Sequence, residues 1–314
     1  MNPYPLKSIV ALALAGALHL IQSQAGQPTV NLRGTAQFAI LAASEVTSVP
    51  TSAIKGDVGL SPAARSKIAG LTPVEVTGSI LAASDGGATA VTLTQAQNDL
   101  TTAYNDAAGR TLGAVDVVNA DLGGRTLAPG LYKSTGTLNV TGTLTLDAQG
   151  DANGIYIFQV ASVLTAASGS KVILAGGARA ANVFWQVGTS AAINTTSQFK
   201  GNIMADQSIS FATGAILEGR ALVRIGAVTL DSTTINMPAI GSIAPQFGPI
   251  TRPAPNQVNL VITNTPGLLL TLQTSVNLID WTTLATPTFT VSPQTYTDTT
   301  ATIATKRFYR AYHP

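Results

Sequence analysis

The sequence predicts a mainly β protein: a β-solenoid of small stacked coils with one helix at its side, followed by a small all-β unit. Three observations carry this. First, residues 197–231 contain nearly the same text twice. Gly201-Asn202-Ile203-Met204 is answered by Gly219-Arg220-Ala221-Leu222 at an offset of 219 − 201 = 18, and Ile209-Ser210-Phe211 by Val228-Thr229-Leu230 at 228 − 209 = 19. Repeats of roughly 20 residues mark a solenoid, in which each coil buries its apolar side only by stacking on its neighbours. Second, from Val30 to Met237 the chain is a series of short strand-like runs cut by Gly, Asn and Ser. An antiparallel sandwich also has short strands and turns, but gives no reason for its sequence to repeat. Third, residues 92–109 break this pattern with a helical stripe.

In chain order, Lys7 followed by the apolar run Ile9 to Leu20 and the small residues Ser23-Gln24-Ala25 reads as a secretory leader, 1–25, cut before Gly26. The run is too short to span a bilayer comfortably. The coils follow over 26–238. Phe158-Gln159-Val160 recurs as Trp185-Gln186-Val187 at an offset of 185 − 158 = 27, one loop longer than the 18-residue turn. Ala39-Ile-Leu-Ala-Ala-Ser44 recurs as Ser79-Ile-Leu-Ala-Ala-Ser84, and Asn202-Ile-Met-Ala205 resembles both. An 18–19 residue coil has room for three short strands and three corners, with small residues at the corners where the backbone must turn sharply. By the two-residue period of strands, Ile209, Phe211, Val228 and Leu230 point inward and Ser208, Ser210, Ala227 and Thr229 outward.

In the helical segment, Thr94 and Gln97 fit a capping box. Ala96, Leu100, Ala103, Tyr104 and Ala107 form one apolar stripe and Gly109 is a stop. A lone amphipathic helix must lie on something, and the flank of the solenoid is the available surface. Residues 239–256, AIGSIAPQFGPITRPAPN, read as a Pro/Gly-rich linker. Residues 257–314 are dense in Thr, Val and Leu with turn signals, and read as a small β module with Trp281 in its core.

Composition narrows the function. Of 314 residues 45% are hydrophobic and only 10% charged, which excludes a charge-rich disordered chain. Removing the leader leaves 17 − 1 = 16 basic side chains against 15 acidic ones and one histidine, His313. No basic patch is visible, which argues against nucleic acid and anionic membrane surfaces as partners. With no cysteine, disulfide scaffolds, thiol chemistry and Cys-ligated zinc are excluded.

Blocks at 30–62, 100–111, 123–140, 154–160, 173–205 and 213–235, among them GGRTLAPGLYKSTGTLNV, GIYIFQV and TGAILEGRALVRIGAVTLDSTTI, resemble the microbial family of secreted ice-binding proteins of the DUF3494 type. That resemblance implies a right-handed, discontinuous β-solenoid of triangular section with a long side helix. It implies adsorption to ice through one flat solenoid face, giving thermal hysteresis, inhibition of recrystallisation, or both, with no cofactor and no metal. The tail, with LQTSVNLIDWTTLA, TYTDTTA and RFYRA, resembles a small β module at the ends of secreted bacterial proteins, which implies export or retention at a cell surface or matrix.

Ice adsorption needs a stiff, flat, moderately apolar surface rather than a reactive group. The candidates are Ser44, Thr47, Ser208, Ser210, Ala227 and Thr229. Their short side chains hold bridging water while their methyls exclude disordered water. Glu45, Asp206 and Arg224 fall near the turns that edge such a face, and charged groups there hold their own hydration. The sequence does not single out which of the three faces is used. Two other classes remain to be weighed. An adhesin or glycan-binding solenoid would expose aromatics, whereas Tyr156, Phe158, Phe184 and Trp185 sit in core-like runs. A polysaccharide-cleaving solenoid would cluster carboxylates, whereas the acids here are scattered; Asp147 with Asp151, and Asp116 with Asp121 near Asn119, read as turn residues.

Overall fold

In the computed structural model, residues 26–117, 120–238, 245–264, 270–287, 289, 293–301 and 306–312 are described. The expected leader lies outside them. The coils form parallel sheets on three faces. The first face runs in the spatial order Ile80–Ala82, Asp57–Leu60, Phe38–Ala42, Ile216–Val223, Gln198–Ala205, Val183–Val187, Tyr156–Val160, Gly130–Ser134, Ala114–Asp116. The eight-residue strands Gln198–Ala205 and Ile216–Val223 bend at Gly201 and Gly219. Their first halves join a second face with Thr143–Asp147, Lys171–Ala175, Thr234–Asn236 and Ala53–Lys55. The third face is a separate seven-stranded parallel sheet.

The strand order shows the discontinuity. The chain enters in the middle at Phe38–Ala42, builds coils outward to Ile80–Ala82, crosses the whole stack as helix α1 (Gly87–Gly109), then coils back until Ile216–Val223 meets Phe38–Ala42. Nine strands span about 38 Å at the spacing of neighbouring strands. The 23-residue helix reaches roughly 34 Å. One helix is therefore the connection long enough to carry the chain from one end of the stack to the other.

The repeats are this stacking seen in one dimension. Gly201 lies beside Gly219 and Ile203 beside Ala221; Ile209 lies beside Val228; Phe158 lies beside Trp185. Leu41, Leu222 and Met204 share one column, as do Leu41, Gly59 and Leu81, which explains the three related Ile-Leu-Ala-like segments. At the shared corner Gly201 has φ +111, and a Cβ on Gly219 would meet the Gly201 carbonyl oxygen at 1.8 Å, so the coils close only with glycine there.

Inside the stack, Tyr132, Phe158, Trp185 and Phe199 form a continuous aromatic column, with centroid separations of 5.3, 4.0 and 4.8 Å. Tyr156 is buried with them, while Phe184 faces the other way into a second core beneath the helix. There Leu41, Leu131, Ile157, Met204 and Leu222 meet Leu93, Ala96, Leu100, Ala103, Tyr104 and Ala107. Polar groups seal the contact: Tyr104 donates to the Val187 carbonyl at 3.2 Å, and the Gln159 amide to the Ala107 and Arg110 carbonyls at 2.8 and 2.7 Å.

Three sequence expectations are corrected. The helix begins at Gly87, not at residue 92, and Thr94–Gln97 is no capping box: Gln97 donates to the Ala42 carbonyl at 3.0 Å, a bond to the sheet rather than to the helix start. The span read as a linker contains a strand, Gln246–Ala254, paired with Gln257–Thr263. It is an edge strand of its sheet, and Pro249 and Pro253 fall in the two register shifts of its ladder, between Phe247 and Ile250 and between Thr251 and Ala254. Trp281 is not among the residues of the tail core, which is built by Val258, Leu260, Ile262, Leu270, Leu272, Phe289 and Ala301 between two three-stranded antiparallel sheets.

Candidate functional site

The three faces differ in what they offer to solvent. The first is covered by α1. The second carries Lys171, Lys200, Glu218 and Lys55 on its outward positions, with Lys200 and Glu218 paired at 2.6 Å. The third is open, and its central outward row is uncharged. Its strands run Leu138–Val140, Leu164–Ala166, Ala191–Ile193, Ile209–Phe211, Ala227–Asp231, Glu45–Val49, Ile68–Ala69.

Register defines one row along this face: Asn139, Thr165, Ala192, Ser210, Thr229, Thr47, Ala69. Beneath it Leu164, Ala166, Ala191, Ile193, Ile209, Phe211, Val46, Val228 and Leu230 are buried. Alternation forces this division: the residues flanking each row position point into the core, so the row position points out. Seven strands give a row about 29 Å long. Its members are short or β-branched, and Thr is stiff at χ1.

Of the six candidates, Thr47, Ser210 and Thr229 lie in the row in direct register. Ala227 precedes it at the strand start, opposite Glu45. Ser208 is beside it, and its hydroxyl accepts from the Ala227 amide at 3.2 Å. Ser44 is exposed but sits on the corner, where its amide donates to the Gly226 carbonyl, and not in the row. Asn139, Thr165, Ala192 and Ala69 complete the row and are not among the six candidates. The 27-residue recurrence, carried one strand further, would have found two of them, since 192 − 165 = 27, and Ala192 then leads to Ser210 by 18.

The nearby charges are held at the edge. Arg224 pairs with Asp206 at 2.6 Å and lies over the Tyr104 ring at 4.6 Å, at the corner toward the helix. The scattered acids are engaged by their own loops. Asp147 accepts the Gln149 amide and Asp151 the Asn153 amide, both at 2.9 Å. Asp121 accepts from Gly123 and Thr141, and these hydrogen bonds outweigh the opposing effect of burial and lower its pKa. Asn119 lies outside the described residues. Among the described residues no cluster of three His, Cys, Asp or Glu side chains could hold a metal, and no helix is long and apolar enough to cross a membrane.

These features define a discontinuous β-solenoid with one face covered, one charged and one open. The family model described as Ice-binding-like matches residues 40–236, and the chain belongs to that family. It is 39% identical over 232 residues to an ice-binding protein of Nostoc sp. (strain HG1), covering 73% of this chain and 82% of that one. It is 41% identical to an ice-binding protein of Flavobacterium frigoris (strain PS1), covering 69% and 80%. Among solved structures, an ice-binding protein from Arctic yeast, described for its antifreeze activity, superposes with TM-score 0.64 at 37% identity, covering 68% of this chain and 95% of that one.

Proposed function

We propose that the protein is exported and adsorbs to ice through the open third face, without catalysis, producing thermal hysteresis, inhibition of recrystallisation, or both. The observation that carries this is the seven-residue row from Asn139 to Ala69, uncharged up to Asp121, which lies in register beyond Asn139 at one end, and fixed by parallel pairing. The first face is excluded by the helix. The second is disfavoured because lysines and Glu218 bind their own water and cannot hand it to a lattice. On the third face hydroxyls and the Asn139 amide hold bridging water, and the methyls of Thr and Ala prevent disordered water from competing. Each contact is weak, so affinity rests on many contacts made at once by a rigid array. The packed core inside the coils supplies that rigidity.

The test is nanolitre osmometry on the chain from Gly26 to Pro314, with the crystal shape observed. A freezing point below the melting point, with faceted crystals, is expected. Round crystals without a gap, and unchecked recrystallisation, from folded protein would contradict the proposal.

A further inference from the structure

The tail holds a positioned guanidinium that the solenoid reading does not use. In the sheet formed by Thr271–Ser275, Thr282–Ala285 and Phe308–Tyr312, Leu272, Leu284, Tyr309 and Ala311 face the tail core. Gln273, Thr283, Arg310 and Tyr312 therefore share the outer face. Arg310 is fixed from two sides: its Nε donates to Gln273 Oε1 at 2.8 Å, and its guanidinium lies over the Trp281 ring at 4.4 Å. Each support is itself held. Gln273 donates to the Thr283 hydroxyl at 3.3 Å, and Trp281 Nε1 to the Leu278 carbonyl at 3.2 Å. The loop carrying Trp281 is tied by Asn277, whose Oδ1 accepts the Ile279 and Asp280 amides at 2.9 Å. Among the described residues no carboxylate lies within ion-pair distance of Arg310; the tail's ion pair joins Arg307 to Asp298.

A guanidinium whose plane is set by an indole and whose Nε is already bonded keeps Nη1 and Nη2 as two parallel donors, the pattern that takes a carboxylate in bidentate fashion. Tyr312, 42% exposed, stands two residues further along the same strand, about 7 Å from Arg310. It offers a ring to the apolar C–H face of a sugar. We propose that this outer face binds a carboxylate-bearing polysaccharide of the uronate type. Arg310 takes the acid, Tyr312 packs on a neighbouring ring, and Thr283 and Gln273 meet hydroxyls. A polyuronate fits better than an acidic peptide because the face presents an exposed aromatic ring beside the cation, so that one sugar ring packs on Tyr312 while an acid group meets Arg310. This inference does not depend on the ice reading.

The test is affinity electrophoresis of the chain from Gly26 to Pro314 in gels containing polygalacturonate, dextran or polyglutamate. Retardation by polygalacturonate alone is expected. Arg310→Gln should weaken it about tenfold, the loss of one charged hydrogen-bonding contact. Arg310→Lys, which keeps the charge without the fork, should weaken it too, as should Tyr312→Ala. Lys306→Gln, which removes an exposed charge nearby in the chain, should leave it unchanged. No retardation, equal retardation by polyglutamate, or full retention in both Arg310 variants would overturn the proposal.

Discussion

Thr47 lies directly beside Thr229 on the open face, although 229 − 47 = 182 residues separate them in the chain. The uncharged row is continuous only because the first coils dock on the last one at this pair. A surface that must act as one rigid array is thus closed by a tertiary contact, and the stability of that junction bears on the function of the face.

Arg220 is central to the junction. It is buried, with Nε donating to the Ala36 carbonyl and Nη1 to Asn202 Oδ1, both at 2.9 Å. Burial lowers its pKa to about 10, so it stays protonated at neutral pH. Arg220→Ala removes these bonds and leaves the buried Asn202 Oδ1 and the partly buried Ala36 carbonyl without this donor. A loss of about 3 kcal/mol is expected, read by chemical denaturation.

The corner column makes a second prediction. Gly219→Ala places a methyl against the Gly201 carbonyl. Because the obstacle is backbone, the coils must separate, and destabilisation of about 2 kcal/mol or more is expected. Gly142→Ala, where nothing lies within 4 Å but φ is +82, isolates the cost of the backbone conformation. It should cost about 1 kcal/mol. Thermal unfolding of the two variants distinguishes crowding from backbone strain.

A charge placed in the row should abolish function without unfolding the protein. Ala192 is half-buried on the outer side between Thr165 and Ser210. Ala192→Asp is expected to remove most of the hysteresis while changing stability by only about 0.5 kcal/mol, as surface substitutions do. Osmometry and circular dichroism on one sample check both halves of this statement.

The row has nothing to titrate, so activity should be flat from roughly pH 5 to pH 9, where ordinary carboxylates stay ionised and lysines protonated. Acid acts on the scaffold instead. The hydrogen bond from Arg65 holds Asp85 at about 2, down from 3.8. A depressed folded value means that this stabilisation is fully present above 3.8 and is lost as pH falls through about 2. Hydrogen bonds from Thr72 likewise lower Glu75. Hysteresis in acid should fall together with ellipticity. A decline with the fold intact would contradict this reading.

The coil period was legible because parallel stacking sets equivalent residues side by side, so a spacing in sequence becomes a contact in space. The inward and outward assignments of residues 208–211 and 227–230 followed from the strand period for the same reason. The start of the helix was not legible, because Gly86 and Gly87 carry no capping side chain, and Gln97, which mimicked a cap, bonds to the sheet. The choice of face was hidden too. Lys171, Lys200, Glu218 and Lys55 are scattered in sequence and become one charged surface only through the register. Ser44 illustrates the limit: it resembles the row residues in type but falls on a corner.

The measurement that tests the central claim most directly compares Thr229→Tyr with Thr234→Tyr by nanolitre osmometry. Thr229 is in the open row, while Thr234 is on the second face beside Ile216 and Ala53. With both variants folded, a large loss of hysteresis in Thr229→Tyr and little change in Thr234→Tyr is predicted. Full activity in Thr229→Tyr, with loss in Thr234→Tyr, would place ice on the charged face and contradict the account.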